Sequence, residues 1–198
     1  HGRSFWILDN ISPLREMPMA TATHLFQPQP AYLVNWNANT DTPLPPEEPA
    51  GENPPDGAMI DYVLEKNARS VSLEILDSAG TVLRTYKDSD VLTRVPEQDL
   101  TVMEGWQRPP QPLSAKAGGH RFIWDMRPNP PAATRRGLPM TSIWNNTPVE
   151  PRSPWVKPGM YTVRLTIDGT RYERSIQIKP DPRGNSGTGV PGAGENDG

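Results

Sequence analysis

The 198-residue sequence contains no cysteine, which excludes disulfides, thiolate nucleophiles and cysteine-ligated metals. Histidine is nearly as scarce: His1, His24 and His120 stand far apart, with no His-x-x-x-His pair to seat a metal. Calcium loops of alternating Asp and Asn are missing, and so are a phosphate-cradling glycine loop ahead of a helix and a Gly-x-Ser-x-Gly elbow. Ser186-Gly187 lies in a Gly-rich tail without the strand such an elbow requires. No cofactor is expected. The formal net charge is -3, not the basic excess of a nucleic-acid binder. No apolar run approaches the roughly 18 residues of a membrane span. The chain starts at His1 without a charged-then-apolar leader, and we expect it to be a segment of a longer protein.

Proline and glycine are abundant instead, at 25 and 16 residues, against a hydrophobic content of 34%. Proline breaks helices but is accepted at strand edges and turns, so short strands are expected rather than long helices. The clearest stretch runs from Pro158 to Ile178. Tyr161, Val163, Leu165 and Ile167 alternate with polar residues, Asp168-Gly169 follows, and a second alternating run begins at Thr170. Asp-Gly between alternating runs signals a two-residue type I′ hairpin turn, because both central residues need φ > 0. That loop length pairs Ile167 with Thr170, Leu165 with Tyr172, Val163 with Arg174 and Tyr161 with Ile176. The apolar sets then share one face, with Arg174 as the intruder. A lone hairpin is marginal and needs a second apolar face over it.

The rest of the chain supplies candidates. Residues 4–9 and 31–36 read as short strands, and 20–25 is ambiguous. Residues 37–57 are proline-dense, an extended linker. From Ala58 onward, 59–64, 71–76, 81–86 and 118–126 join the two hairpin strands, with Asp77-Ser78-Ala79-Gly80 turning the second into the third. Between them lie two polar, irregular insertions, 88–117 and 128–157. The tail from Asp181 to Gly198 has almost nothing to bury and is expected to be disordered. Short strands with Gly- or Pro-marked turns indicate an all-β fold of two packed antiparallel sheets, with a jelly roll or an open barrel as the alternatives. The expected core is Ile60, Tyr62, Leu64, Leu73, Ile75, Phe122, Trp124, Tyr161, Val163, Leu165 and Ile176.

Three segments together carry a resemblance. His1-Gly2-Arg3-Ser4-Phe5-Trp6-Ile7-Leu8-Asp9-Asn10 resembles the last blade strand of exported bacterial proteins with BNR-type, sortilin-like propellers, often labelled glycosyl hydrolases. Gly51-Glu52-Asn53-Pro54-Pro55-Asp56-Gly57-Ala58 with Ile60-Asp61-Tyr62 resembles the entry to the domain after that propeller. Pro158-Gly159-Met160-Tyr161-Thr162-Val163-Arg164-Leu165 with Asp168-Gly169 and Asp181-Pro182-Arg183 resembles its closing hairpin and exit. That domain is similar to the Ig-like domain of the flagellar hook-capping protein and to fibronectin-type modules. The resemblance covers about residues 1–183. The hairpin pattern is shared by many Ig-like modules, whereas the Gly51–Ala58 stretch is more specific. It implies residues 1–27 as blade strand and connector, 28–57 as linker with an edge strand, 58–180 as an Ig-like sandwich and 181–198 as tail. It also implies a periplasmic or extracellular bacterial location and the propeller of the same parent chain as partner.

Catalytic candidates are thin. Glycoside hydrolysis needs two carboxylates flanking a cleft, and Asp61, Glu74 and Asp125 fall on different expected strands with nothing to pair them. Tyr172-Glu173-Arg174 has the residue types of a sialidase site, but adjacent strand residues point to opposite faces, so Glu173 is separated from its neighbours. The turn at Asp77–Thr81 resembles a propeller Asp-box only superficially, since its Asp-to-Gly spacing differs and the Trp is missing. Trp106, Trp144 and Trp155 lie in the insertions. Loop tryptophans stack sugar rings and anchor protein contacts, or cover the ends of a sandwich core. The expected function is a non-catalytic accessory domain that packs on or positions a propeller. The alternatives are a carbohydrate-binding module using those tryptophans, or part of a glycoside hydrolase whose catalytic residues lie upstream.

Overall fold

The computed structural model describes residues 8–16, 22–34, 54–91, 94–100, 103–132, 136–139 and 145–183. The expected strand at 4–9 and the tail beyond Arg183 fall wholly or mostly outside them. The chain folds into an all-β sandwich. Among the described residues a short helix, α1 (Ser12–Glu16), precedes eight strands: β1 (His24–Leu25), β2 (Ala31–Leu33), β3 (Ala58–Leu64), β4 (Val71–Leu76), β5 (Val82–Lys87), β6 (Gly118–Trp124), β7 (Gly159–Ile167) and β8 (Thr170–Pro180). One sheet has the order β1-β3-β6, the other β2-β8-β7-β4-β5. Among the described residues no helix is long and apolar enough to cross a membrane.

The β7–β8 hairpin has the register that its turn dictates: Ile167 opposite Thr170, Leu165 opposite Tyr172, Val163 opposite Arg174 and Tyr161 opposite Ile176. Asp168 and Gly169 both have positive φ, 48° and 88°, as a type I′ turn requires. Asp168 also ties the turn to the loop before β4, its Oδ1 accepting from the Arg69 and Ser70 amides at 2.8 and 3.0 Å. Ile60, Tyr62, Leu64, Phe122 and Trp124 from one sheet meet Leu73, Ile75, Val163, Leu165 and Ile176 from the other in one buried cluster. Tyr161, expected in that core, is only half-buried. It sits at the rim, edge-on to Trp124, with its hydroxyl donating to the Lys157 carbonyl at 2.7 Å.

Two features differ from the reading of the sequence. First, the sandwich begins before Ala58: β1 pairs with β3, β2 pairs with β8, and Leu25, Phe26 and Ala31 are buried. β2 falls within the strand expected at 31–36 and forms an edge of its sheet, whereas β1, with two residues, is too short to show alternation and lies in the ambiguous stretch 20–25. Second, the sheets are not wholly antiparallel, because β2 runs parallel to β8. The chain crosses from the first sheet to the second between Phe26 and Pro30, where Pro28 and Pro30 need no ladder donors.

Gly57, at the entry to β3, is sterically constrained. Its φ is 148°, and a Cβ there would strike the Trp124 carbonyl oxygen. Only glycine lets the backbone enter β3 this close to the end of β6.

Candidate functional site

The two insertions fold back on each other. The Arg108 amide donates to the Thr147 carbonyl at 2.8 Å, the Thr147 amide to the Trp106 carbonyl at 3.1 Å, and Gly137 and Glu150 exchange bonds at 3.1 and 2.8 Å. Gln107 locks the inner end, its buried amide side chain bonding both the amide and the carbonyl of Val95 at 3.0 and 3.1 Å. The Val156 amide donates to the Met126 carbonyl at 2.9 Å, which returns the second insertion to the end of β6. Met126 itself, two residues past that strand, has φ 55°.

Between these loops, the start of β3 and the β2 segment lies a cleft of about 450 Å³. Its polar wall is Asp56, Arg108, Asp125, Arg127, Asn146 and Arg152, and its apolar wall includes Tyr32, Met59 and Trp155. Arg108 donates from Nε to Asn146 Oδ1 at 2.8 Å and faces Asp56 at 3.4 Å, while Asn146 also reaches Asp56 at 3.2 Å. Arg152 is paired with Glu150 at 2.8 Å. Arg127 lies over the Trp155 ring, 4.9 Å from its centroid, and donates to the Ser153 carbonyl. Its buried Nε has no protein partner. Burial lowers the pKa of Arg108, with Asp56 opposing and Arg152 adding like-charge repulsion. Burial and then Arg152 lower that of Arg127 as well. Asp125 and Glu150 oppose the shift at Arg127, so the cleft gathers three arginines and three carboxylates in a partly desolvated setting.

The tryptophans separate. Trp155 lines the cleft and is 38% exposed. Trp106 closes a 3-10 turn, Glu104–Trp106, and is half-buried away from the cleft lining. Trp144 lies outside the described residues. The three carboxylates are also kept apart in role. Asp61 on β3 is held by Arg121 at 2.8 Å, Glu74 on β4 faces Arg164 at 3.4 Å, and Asp125 lies in the cleft wall. Tyr172 and Arg174 face inward on β8, whereas Glu173 faces out and pairs with Arg164 at 2.6 Å. The Asp77 turn is a hairpin turn in which Oδ1 accepts from Ala79 and Thr81 at 2.9 and 2.8 Å. Among the described residues no group of three His, Asp or Glu could hold a metal. His24 pairs with Glu16 at 3.1 Å, and His120 Nε2 contacts the Lys116 carbonyl at 2.6 Å. The arginines of the cleft were not singled out by any motif. They lie scattered over 108–152, and irregular backbone bridges bring them together.

No protein-family model matches the sequence. No curated protein matches it. Among solved structures, the chain is similar to CopC from Methylosinus trichosporium OB3b at 12% identity, over 66% of this chain and 80% of that one, with a TM-score of 0.29.

Proposed function

We propose that this chain is an Ig-like accessory domain of an exported bacterial BNR/sortilin-like propeller protein, in which it holds the preceding domain at a fixed angle without itself performing catalysis. One observation carries the reading: the segment after the blade-like strand is fastened to the sandwich. Asn10 is buried, its Nδ2 donates to Asp61 Oδ2 at 3.2 Å, and its carbonyl accepts from Arg121 at 3.2 Å. Its Oδ1 accepts from the Ser12 amide at 2.9 Å and starts α1. Glu16, at the end of α1, takes the Gln27 amide at 3.1 Å, and Gln27 reaches the Ser175 carbonyl in β8 at 2.7 Å. A flexible tether needs none of these bonds; a rigid joint needs several. The test is small-angle scattering on the parent protein. A propeller joined at one angle should give a single compact particle that broadens with Asn10→Ala. A parent lacking a propeller before His1 overturns the proposal.

A second reading, a carbohydrate-binding module, is favoured by the half-exposed Trp155 beside acidic and amide side chains in one cleft. Affinity electrophoresis against neutral and acidic glycans, with Trp155→Ala as control, tests it.

A further inference from the structure

We infer that the cleft between the insertions binds the uronic-acid residue of an acidic saccharide, its carboxylate on Arg127 and its ring against Trp155. The inference rests on the carbohydrate-binding reading and adds the chemical class of the sugar.

Each part of the site selects for something. The cleft, about 450 Å³, lies within the usual range of small-molecule sites, roughly 300–1,000 Å³. Of its three guanidiniums, two are already matched inside the protein, Arg108 by Asp56 and Arg152 by Glu150. Arg127 has no described carboxylate in ion-pair contact. It uses one arm on the Ser153 carbonyl and leaves its buried Nε unsatisfied. A planar carboxylate suits a guanidinium fork, and a desolvated site strengthens the pairing. Asp125 and Glu150 offset part of the repulsion that Arg152 and Arg108 exert on Arg127, and one ligand anion in direct contact would add to that offset. Asp56 and Asp125 keep the site from favouring a dianion, because each repels the second charge of a phosphate. The same carboxylates, with Asn146, accept hydrogen bonds from hydroxyls. A sugar ring carrying one carboxylate among several hydroxyls, as each residue of a uronate chain does, therefore matches the side chains that line the cleft. Trp155, 38% exposed as a residue, adds an apolar ring that borders the cleft beside the Arg127 contact, where the C–H face of a pyranose can pack.

The test is calorimetry on the full chain with trigalacturonate and its fully methyl-esterified counterpart, which keeps the rings and removes the charge. We expect trigalacturonate to bind and the ester to bind at least tenfold more weakly. Trp155→Ala and Arg127→Gln should each weaken trigalacturonate at least tenfold, with the Trp155 indole N–H signal shifting during an NMR titration of the unmutated chain. If Arg127→Gln fails to fold, Arg127→Lys keeps the charge and loses the fork, and the same loss is expected. Equal binding of acid and ester, still dependent on Trp155, overturns the uronate assignment and leaves the sugar-binding reading standing. Absence of binding to trigalacturonate overturns the assignment, and absence of binding across the wider glycan panel as well overturns both. Displacement of trigalacturonate by equimolar inorganic phosphate or polyglutamate overturns the assignment by showing attraction for anions in general.

Discussion

The Tyr62 hydroxyl donates to the Ser114 carbonyl at 2.8 Å and accepts from the Ser114 amide at 3.0 Å, so a single core side chain closes both backbone groups of one loop residue. It anchors the end of the first insertion to β3, next to Leu113, which enters the core. Burial, only partly offset by the Ser114 hydrogen bond, pushes the Tyr62 phenol up from 10.0 to about 12. The folded protein thus favours the protonated phenol. The unfolded chain releases its proton near pH 10, so the contribution is complete below that pH and disappears as pH rises toward about 12. Tyr62 should contribute about 2 kcal/mol to the fall in stability that urea titrations show over that window, beside a loss of the same sign from Tyr86, whose phenol burial also pushes up, so the fall should be shallower but not abolished in Tyr62→Phe. Tyr62→Phe should also cost about 1–3 kcal/mol at neutral pH, because two Ser114 groups lose their partner. An unchanged midpoint at both pH values would show that the insertion is anchored elsewhere.

Leu165 is fully buried at the centre of the hairpin, opposite Tyr172 and Leu73. Leu165→Ala should cost about 2–5 kcal/mol in chemical denaturation. A loss under about half a kcal/mol would mean that the cluster closes around the cavity unaided.

Gly57→Ala should destabilise more than an ordinary surface change, by about 1–3 kcal/mol, since the new Cβ meets the Trp124 backbone, which cannot swing aside, as well as the Ile123 side chain. Gly80→Ala is the control: its φ is 82°, but nothing lies within 4 Å of a Cβ there, so only the backbone preference is lost. Equal thermal shifts for the two variants would remove the steric explanation.

These sites show how far the residues alone reach. The hairpin register follows from one Asp-Gly pair and two alternating runs, and the core follows from it. The cleft does not, because no local rule places Arg108 beside Asn146 or Arg127 over Trp155. Those neighbours depend on Gln107 bonding Val95 and on bridges between two irregular segments. Side-chain-to-backbone bonds of this kind leave no period in the sequence.

Gln111 marks another contact of that type. Its amide donates to the Arg121 carbonyl at 3.0 Å and accepts from the Ile123 amide at 3.1 Å, lying along the free side of β6 as a further strand would. Gln111→Ala should leave the melting temperature within a few degrees but raise the tendency to associate, because it uncovers an edge. Light scattering at rising concentration checks this, and a variant as monodisperse as the parent argues that the edge is covered by something else.

Removal of residues 1–27 should lower stability sharply, because Leu25 and Phe26 leave the core and β3 loses its β1 neighbour. A melting transition unchanged by that deletion would mean that β1 adds nothing to the sandwich.

The parallel pairing of Ala31 with Ile178 also governs the order in which the molecule can be made. During synthesis β2 emerges ahead of the rest of its sheet, and its partner among the described strands, β8, is the last of them to appear. Local hairpins such as β4–β5 can form on the way, but the larger sheet stays open until β8 has been made. This is the wiring of a slow folder, rich in distant contacts, which rewards keeping the polypeptide unstructured until it is complete.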